Sequence, residues 1–129
     1  RHARWTGDWS SDVCSSDLHE FEQQAMEMGM SVLVEVHNEE ELDKALDLDT
    51  RLLGINNRNL KTLEVDLGVT ERLAKMLPQG TLSVSESGLN TKADLDRIAD
   101  LGVYCFLVGE SLMRQDDVEQ ALKTLLGVD

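Results

Sequence analysis

The sequence predicts an α/β fold in which parallel strands alternate with helices. Four short apolar runs rich in Val, Ile and Leu are each followed by a segment with the apolar spacing of an amphipathic helix. A further helical segment, around Phe21 and Ala25, precedes the first run. Strict alternation of this kind implies parallel strands joined by right-handed crossovers. Periodicity leaves open whether the sheet closes into a barrel or stays open.

Turn and cap residues place the elements along the 129-residue chain. Asn38 and Thr91 each stand where a helix should begin, with an acidic residue three positions later, which is the spacing of a capping box. Pro78 ends the helix that starts at Val69. The predicted strands are Val32–Val36, Leu52–Ile55, Leu82–Val84 and Val103–Val108.

The chain is acidic, with a formal net charge of −13. This charge argues against a nucleic-acid groove or an anionic membrane surface as the partner, since both would be repelled. A small anionic substrate stays possible, because local backbone N–H groups can hold it despite an acidic exterior. The sequence contains no run of about 18 apolar residues that could span a membrane. Its two cysteines form no C-x-x-C pair, which favours a reduced, cytoplasmic location.

Residues 1–18 differ in character from the rest of the chain. They hold both tryptophans and show no sustained helix or strand period. Their string DWSSDVCSSDL matches the translation of a sequencing-library adapter residue for residue. We therefore predict that residues 1–18 are an artefactual, non-native segment and that residues 19–129 form the domain. A genuine tail rich in Ser and Asp is the alternative.

Polar residues gather where each predicted strand ends. The carboxyl ends of parallel strands lie at one face of an α/β fold, where ligands bind, so these residues are expected to converge in space. In chain order they are Glu35 and His37; Asn56, Asn57 and Arg58; Glu86, Ser87 and Gly88; and Gly109, Glu110 and Ser111.

Two carboxylates stand out in this set. Glu35 lies between Val34 and Val36 in an otherwise apolar strand, and Glu86 follows the third strand. A carboxylate in such a place loses hydration unless it has a partner or its pKa rises, which suits a general base or acid. A strand-end carboxylate paired with a structural arginine is equally consistent with the sequence.

The glycine-bearing loops after the last two strands suit an anion. Glycine lets backbone N–H groups approach a phosphate, and a following helix N-terminus adds a favourable dipole. Gly88 and Gly109 have this position, with Ser111 nearby, whereas Glu110 could assist only through its backbone N–H. Arg58 could bind a phosphate or a carboxylate. Ordinary turn chemistry and a surface ion pair are the plainer alternatives.

Other patterns of catalytic residues are missing from the sequence. His19, His37 and Cys105 lack the spacing of metal ligands. No Ser-His-Asp order, P-loop or G-x-G-x-x-G motif occurs. We therefore expect no metal site.

Four motifs follow one another in order across residues 19–129: LVEVHNEEEL, LLGINNRNLKTLEVDL, SVSESGLNT and FLVGESLMRQDD. Together they resemble the last part of the indole-3-glycerol-phosphate synthase family. The resemblance implies the C-terminal half of a TIM (β/α)8 barrel, with four parallel βα units preceded by one helix. It also implies the family reaction of tryptophan biosynthesis. In that reaction 1-(o-carboxyphenylamino)-1-deoxyribulose 5-phosphate closes its ring and loses carbon dioxide and water, without a metal or organic cofactor.

The resemblance further implies roles for individual residues. Glu35 matches the family's general base, Asn56 the asparagine that orients the substrate, and Glu86 a glutamate that lines the site. Arg58 takes the neighbouring basic position near the substrate. The residues that match the phosphate cradle are the substrate-binding Ser87, then Gly88 and Gly109, and the backbone of Glu110 and Ser111.

The family also carries residues for which this sequence has no counterpart. A lysine general acid, a second lysine and a further glutamate lie on strands one to three, and Asn59 stands where many relatives have aspartate. We expect this chain alone to be inactive and its strand edges to favour self-association. The alternatives are a non-catalytic half-barrel that assembles with itself or a complementary half, and another phosphate-binding barrel such as phosphoribosylanthranilate isomerase.

Overall fold

One sheet of four parallel strands carries the fold, in the order β1-β2-β3-β4. A computed structural model describes residues 15–128, and all structural statements below refer to this range. The strands are Val34–Val36 (β1), Leu52–Asn56 (β2), Leu82–Glu86 (β3) and Cys105–Leu107 (β4). The helices are Ser15–Glu27 (α1), Glu39–Leu46 (α2), Gly68–Leu73 (α3), Lys92–Ala99 (α4), Glu110–Met113 (α5) and Val118–Leu126 (α6), and a 3₁₀ turn over Ala74–Met76 extends α3.

The predicted alternation of strands and helices is confirmed, and the four parallel βα units preceded by one helix agree with the half-barrel that the motifs imply. Several bounds differ from the prediction. β1 begins two residues late, because only Val34–Val36 pair with β2 and the Val32 carbonyl accepts a hydrogen bond from the Thr50 hydroxyl at 2.7 Å. β4 is likewise limited to the three residues that pair with β3. The short helix α5 was not predicted.

The hydrophobic core lies between the sheet and its helices. Strand side chains alternate in direction, so Leu53 and Ile55 of β2 pack toward the helices while Gly54 and Asn56 face the other side of the sheet. The residues of the two buried clusters are Val36, Leu42, Ala45, Leu53, Ile55 and Leu73, and Leu89, Leu95, Ile98, Val103 and Leu125. The opposite face is partly open, since Leu33 is 40% exposed and Leu82 is 55% exposed.

Both predicted helix starts are present, with one difference in detail. Thr91 and Asp94 form a reciprocal capping box at α4. At α2 the Asn38 side chain accepts the Glu41 N–H at 2.9 Å, but the Glu41 carboxylate turns away and accepts the backbone N–H of His37 at 2.7 Å. This departure places an acidic side chain against a residue of the strand-end cluster.

The predicted artefactual segment, residues 1–18, falls largely outside the described range. Only its last four residues are described, as the first turn of α1, where Leu18 is 9% exposed. The assignment of this segment as non-native stays a prediction. In the described part of the chain, none of the helices has the length and apolar character needed to cross a bilayer.

Candidate active site at the carboxyl ends of the strands

The strand register brings the predicted site residues to one end of the sheet. Asn56 pairs with Glu86 across β2 and β3, and Glu35 of β1 lies opposite Gly54 of β2. A cavity of about 430 Å³ opens at this end between the last two strands and their loops. The predicted site residues that line it are Asn56, Arg58, Glu86, Ser87, Gly88, Gly109, Glu110 and Ser111. Glu35 lines an adjoining cleft that shares Asn56 and Arg58 with the cavity.

Glu35 is held as a carboxylate by polar neighbours. The Asn56 Nδ2 group donates to its Oε1 at 2.9 Å, and the Nε2 atom of His37 lies 3.4 Å from the same oxygen. The contact with the His37 imidazole is the main reason that the pKa of Glu35 falls from 4.5 to about 2. Burial opposes this change, and hydrogen bonds with Glu86 and Asn56 reinforce it. The sequence left open whether Glu35 has a raised pKa or a partner. The structure gives it a partner, and that partner is a histidine and not the arginine that the sequence suggested.

His37 lies between two carboxylates. Its Nδ1 atom is 3.0 Å from Glu41 Oε2, and its Nε2 atom faces Glu35. The contact with Glu35 and then the hydrogen bond with Glu41 raise the pKa of His37 from 6.5 to about 9, against the opposing effect of burial. The imidazole is thus positively charged at neutral pH.

Glu86 is buried at the centre of the site, where it is 2% exposed. A Cβ atom on Gly54 would lie closer to Glu86 Oε1 than the 3.0 Å that real Cβ atoms keep. Only glycine at position 54 therefore leaves room for this carboxyl group to lie across β2. The sequence indicated Glu86, but the matching requirement at Gly54 appears only in the packed sheet.

Asn57 is a structural residue of the site, and the sequence predicted no role for it. It is 1% exposed, and its Nδ2 group donates to the carbonyls of Glu86 and Ser87, both at 3.0 Å. Its Oδ1 atom accepts the Thr70 hydroxyl at 2.8 Å, and that hydroxyl also meets Ser85 at 2.9 Å. This buried network ties the end of β3 to β2 and α3. The signal for this network in the sequence is Ser85, a polar residue at a position of β3 that faces the helices.

The loop after β3 has an uncommon backbone. Ser87 and Gly88 follow one another with φ of +66° and +76°. The left-handed conformation costs a non-glycine residue roughly 1 kcal/mol, so Ser87 is held there by its surroundings, including the Asn57 bond to its carbonyl. At Gly88 a Cβ would collide with the Val65 side chain. The turn thus stays tight where the cavity begins.

The loop after β4 places Gly109 at the start of α5, and the Ser111 hydroxyl donates to the Leu89 carbonyl at 3.3 Å. The expectation that Glu110 could assist an anion only through its backbone N–H stays a prediction. Its carboxylate accepts from Arg58 and from Arg114, each at 2.5 Å. Arg58 therefore forms the ion pair that the sequence offered as an alternative. Arg114 also lines the cavity and was not predicted.

One group of side chains in the described range has the spacing to hold a metal ion. Candidate ligand atoms of His19, Glu22 and Asp49 lie within 4.8 Å of one another. The Glu22 carboxylate already accepts the backbone N–H groups of Asp49 and Thr50. Asp49 lies just before β2, at the opposite end of the strand from Asn56, and Glu22 lines the same long cleft as Glu35.

The charge pair at the site predicts a pH dependence of stability. Because the pKa of His37 is raised, its stabilising contribution is complete below pH 6.5 and is lost as the pH rises through about 9. The contribution of Glu35, whose pKa is lowered, is complete above pH 4.5 and is lost as the pH falls through about 2. We expect the free energy of unfolding in urea to fall by on the order of 1 kcal/mol more between pH 6.5 and 9 for the parent chain than for His37→Gln. Equal pH slopes for the two chains would contradict this.

Comparison with known proteins agrees with the resemblance of the motifs. The family profile described as "Indole-3-glycerol phosphate synthase" matches residues 11–125. The chain is 60% identical over 107 residues to the indole-3-glycerol phosphate synthase of Azospirillum brasilense, covering 83% of this chain and 41% of that protein. Identity to the Rhodospirillum rubrum protein of that name is 58% over 109 residues, covering 84% and 41%. The chain thus spans about two fifths of the length of these curated relatives.

A solved structure supports the fold alone. A chain of the Amycolatopsis orientalis BexX/CysO complex superposes with a TM-score of 0.57 at 16% sequence identity, covering 88% of this chain and 50% of that chain. With a family profile that matches nearly the whole of the described range, the motifs, the strand register and the sequence identities agree. The chain belongs to the indole-3-glycerol phosphate synthase family.

Proposed function

We propose that this chain supplies the general-base and phosphate-binding part of an indole-3-glycerol-phosphate synthase. The observation that carries the proposal is the cluster of Glu35, Asn56 and Glu86 beside a cavity lined by two glycine-bearing loops. The proposed reaction closes the ring of 1-(o-carboxyphenylamino)-1-deoxyribulose 5-phosphate with loss of carbon dioxide and water. A cytoplasmic location fits a biosynthetic enzyme of this kind.

Glu35 is the proposed general base. It is an anion at neutral pH, it faces the cleft, and the Asn56 amide fixes one of its oxygens at 2.9 Å. A base held in one orientation accepts a proton from the substrate without a prior rearrangement. Asn56 has a second link, since its Oδ1 atom accepts the Arg58 N–H at 3.0 Å. We propose that Asn56 orients the substrate and that Glu86 lines the same space.

The phosphate is proposed to bind where the loops after β3 and β4 face each other across the cavity. Gly88 and Gly109 leave the backbone open to an anion, and Ser87 and Ser111 offer hydroxyl groups beside it. Arg58 is the proposed cationic contact to the substrate. The Glu110 carboxylate pairs with this guanidinium, so the substrate would have to compete for it.

By itself the chain is proposed to be inactive and to associate with itself. A general acid is expected from a part of the family's barrel that this chain does not match, so proton donation would be missing. The outer edges of β1 and β4 are unpaired in the described sheet, and Leu107 on β4 is 49% exposed. Open strand edges with apolar neighbours favour pairing between chains.

Complementation tests the proposal. The chain is mixed with the N-terminal part of the Azospirillum brasilense relative that it does not cover, and formation of indole-3-glycerol phosphate is followed by chromatography. Each part alone is the control, and sedimentation velocity reports assembly. We expect turnover only in the mixture, and self-associated species only before mixing. Assembly without turnover would favour the non-catalytic half-barrel, and turnover by the chain alone would refute the proposed division of the site.

A further inference from the structure

His37 is linked to the site on one side and to α2 on the other. Its Nε2 atom faces Glu35 Oε1 at 3.4 Å, and its Nδ1 atom lies 3.0 Å from Glu41 Oε2. The His37 side chain is 18% exposed, and the side chains of Glu35 and Glu41 are 21% and 16% exposed. Glu35, His37 and Glu41 thus form a row of three adjacent ionisable side chains that are mostly removed from water. Their interactions are therefore only weakly screened.

Contacts with Glu41 at the start of α2 set the orientation of the imidazole. Glu41 is positioned by Asn38, which accepts the Glu41 N–H, and the same Glu41 oxygen that meets Nδ1 also accepts the His37 backbone N–H at 2.7 Å. The ring thus has one anchored nitrogen, and its other nitrogen points to Glu35. A carboxylate behind a histidine that faces a second group is a recurrent way to fix an imidazole in one orientation.

The charges around this row favour an imidazolium. Glu35 from β1 and Glu41 from α2 contact it directly, and the hydrogen bond of Glu86 from β3 with Glu35 helps to keep Glu35 ionised. The cationic side chains that line the same cleft are Lys44, Arg58, Lys61 and Arg72. Among them, Lys44 pairs with Glu40, Arg58 with Glu110 and Arg72 with Glu39. Three of these four cations thus have their own acidic partners.

We infer that His37 is a positioning residue of the site, and that its imidazolium, held by Glu41, fixes the orientation and the negative charge of the Glu35 carboxylate. The reading of Glu35 as a base that meets a substrate rests on the proposed function. The link from Glu41 through His37 to Glu35 does not. His37 does not line the phosphate cavity, and in the adjoining cleft it lies beside Glu35, so the proposed role is to hold that carboxylate.

The first test measures the row itself in the 129-residue chain. The ring signals of the three histidines are titrated by NMR, and His37 is assigned by its loss in His37→Gln. We expect His37 to titrate near pH 9 in the parent chain and roughly one pH unit lower in Glu41→Gln, which keeps an acceptor for the backbone N–H but removes the charge. Glu40→Gln is the matched control, because Glu40 contacts Lys44 and is 81% exposed.

The second test asks whether the row acts on the reaction. In the complemented protein, His37→Gln and Glu41→Gln are expected to move the acidic limb of the kcat/KM profile upward by roughly one pH unit or more, as Glu35 becomes easier to protonate. Glu40→Gln should leave the profile unchanged. A purely structural role would lower activity at every pH without moving the limb.

The two tests separate failure of the inference from failure of the proposed function. Titration of His37 near pH 6.5 in the parent chain, or an unchanged titration in Glu41→Gln, overturns the inference whatever the activity. A row that titrates as expected in a complemented protein without synthase turnover leaves the link between Glu41 and Glu35 in place and overturns the proposed function. An unmoved limb in an active protein overturns the role of His37 toward the reaction.

Discussion

Replacing Glu35 with glutamine is expected to lower kcat of the complemented protein by about 10² to 10⁴-fold, the usual contribution of a general base. Glutamine has nearly the shape of glutamate and can still meet the Asn56 amide, but it cannot accept a proton from the substrate. KM should change little, because the loops proposed to bind the phosphate lie on the other side of the site. The measurement is a steady-state assay of indole-3-glycerol phosphate formation across several substrate concentrations.

Glu119→Gln is the control for the same change of charge. Glu119 lies on α6, where its exposed side chain pairs with Lys123. The extent of complementation is compared by sedimentation for both variants, so that a loss of assembly is not mistaken for a loss of catalysis. If Glu35→Gln retains more than about a tenth of the parent kcat while assembly is complete, Glu35 is not the general base.

Gly54→Ala is expected to lower the free energy of unfolding by about 1–3 kcal/mol. The added methyl group has no room, because the buried Glu86 carboxyl group already occupies its position and Leu33 closes one side. Glu86 would have to leave its place across β2, or the strands would have to separate. Urea unfolding followed by circular dichroism measures the effect, and the midpoint should fall at an unchanged slope.

Gly109→Ala is the matched control for this change. An added Cβ at Gly109 meets no atom within 4 Å, so alanine there causes no steric clash. The control should therefore lose less stability than Gly54→Ala, since it lacks the clash with a buried side chain. Equal stability of the two variants would mean that Glu86 does not depend on the glycine opposite it.

Local features of the structure were predicted well from the sequence. The helix cap at Asn38 and the capping box at Thr91 involve residues three positions apart, so their hydrogen bonds do not depend on the rest of the fold. The strand ends were predicted less accurately, because a strand extends only as far as its backbone pairs with the neighbouring strand. The apolar run predicted a strand over Val32–Val36, but only three residues of β1 pair with β2.

The contents of the candidate site were predicted, and its connections were not. Glu35 and His37 are two residues apart, which places both on the same face of an extended segment, and that spacing was an available signal. The part of Glu41 could not be foreseen in the same way, because the spacing predicted an ordinary capping box to Asn38. The bonds of Asn57 to Ser85, Glu86 and Ser87 span 28 to 30 residues and follow from the register of β2 and β3.

By itself the sequence determined that strands alternate with helices, that the strands are parallel, and that polar residues stand at their carboxyl ends. These properties follow from periodicity and chain order, which each segment carries locally. Only the tertiary structure decided that Glu35 is paired with His37, that Glu110 bridges Arg58 and Arg114, and that Gly54 makes room for Glu86. The physical reason is that ionisation and contact depend on groups brought together across strands, and strand register sets which groups meet.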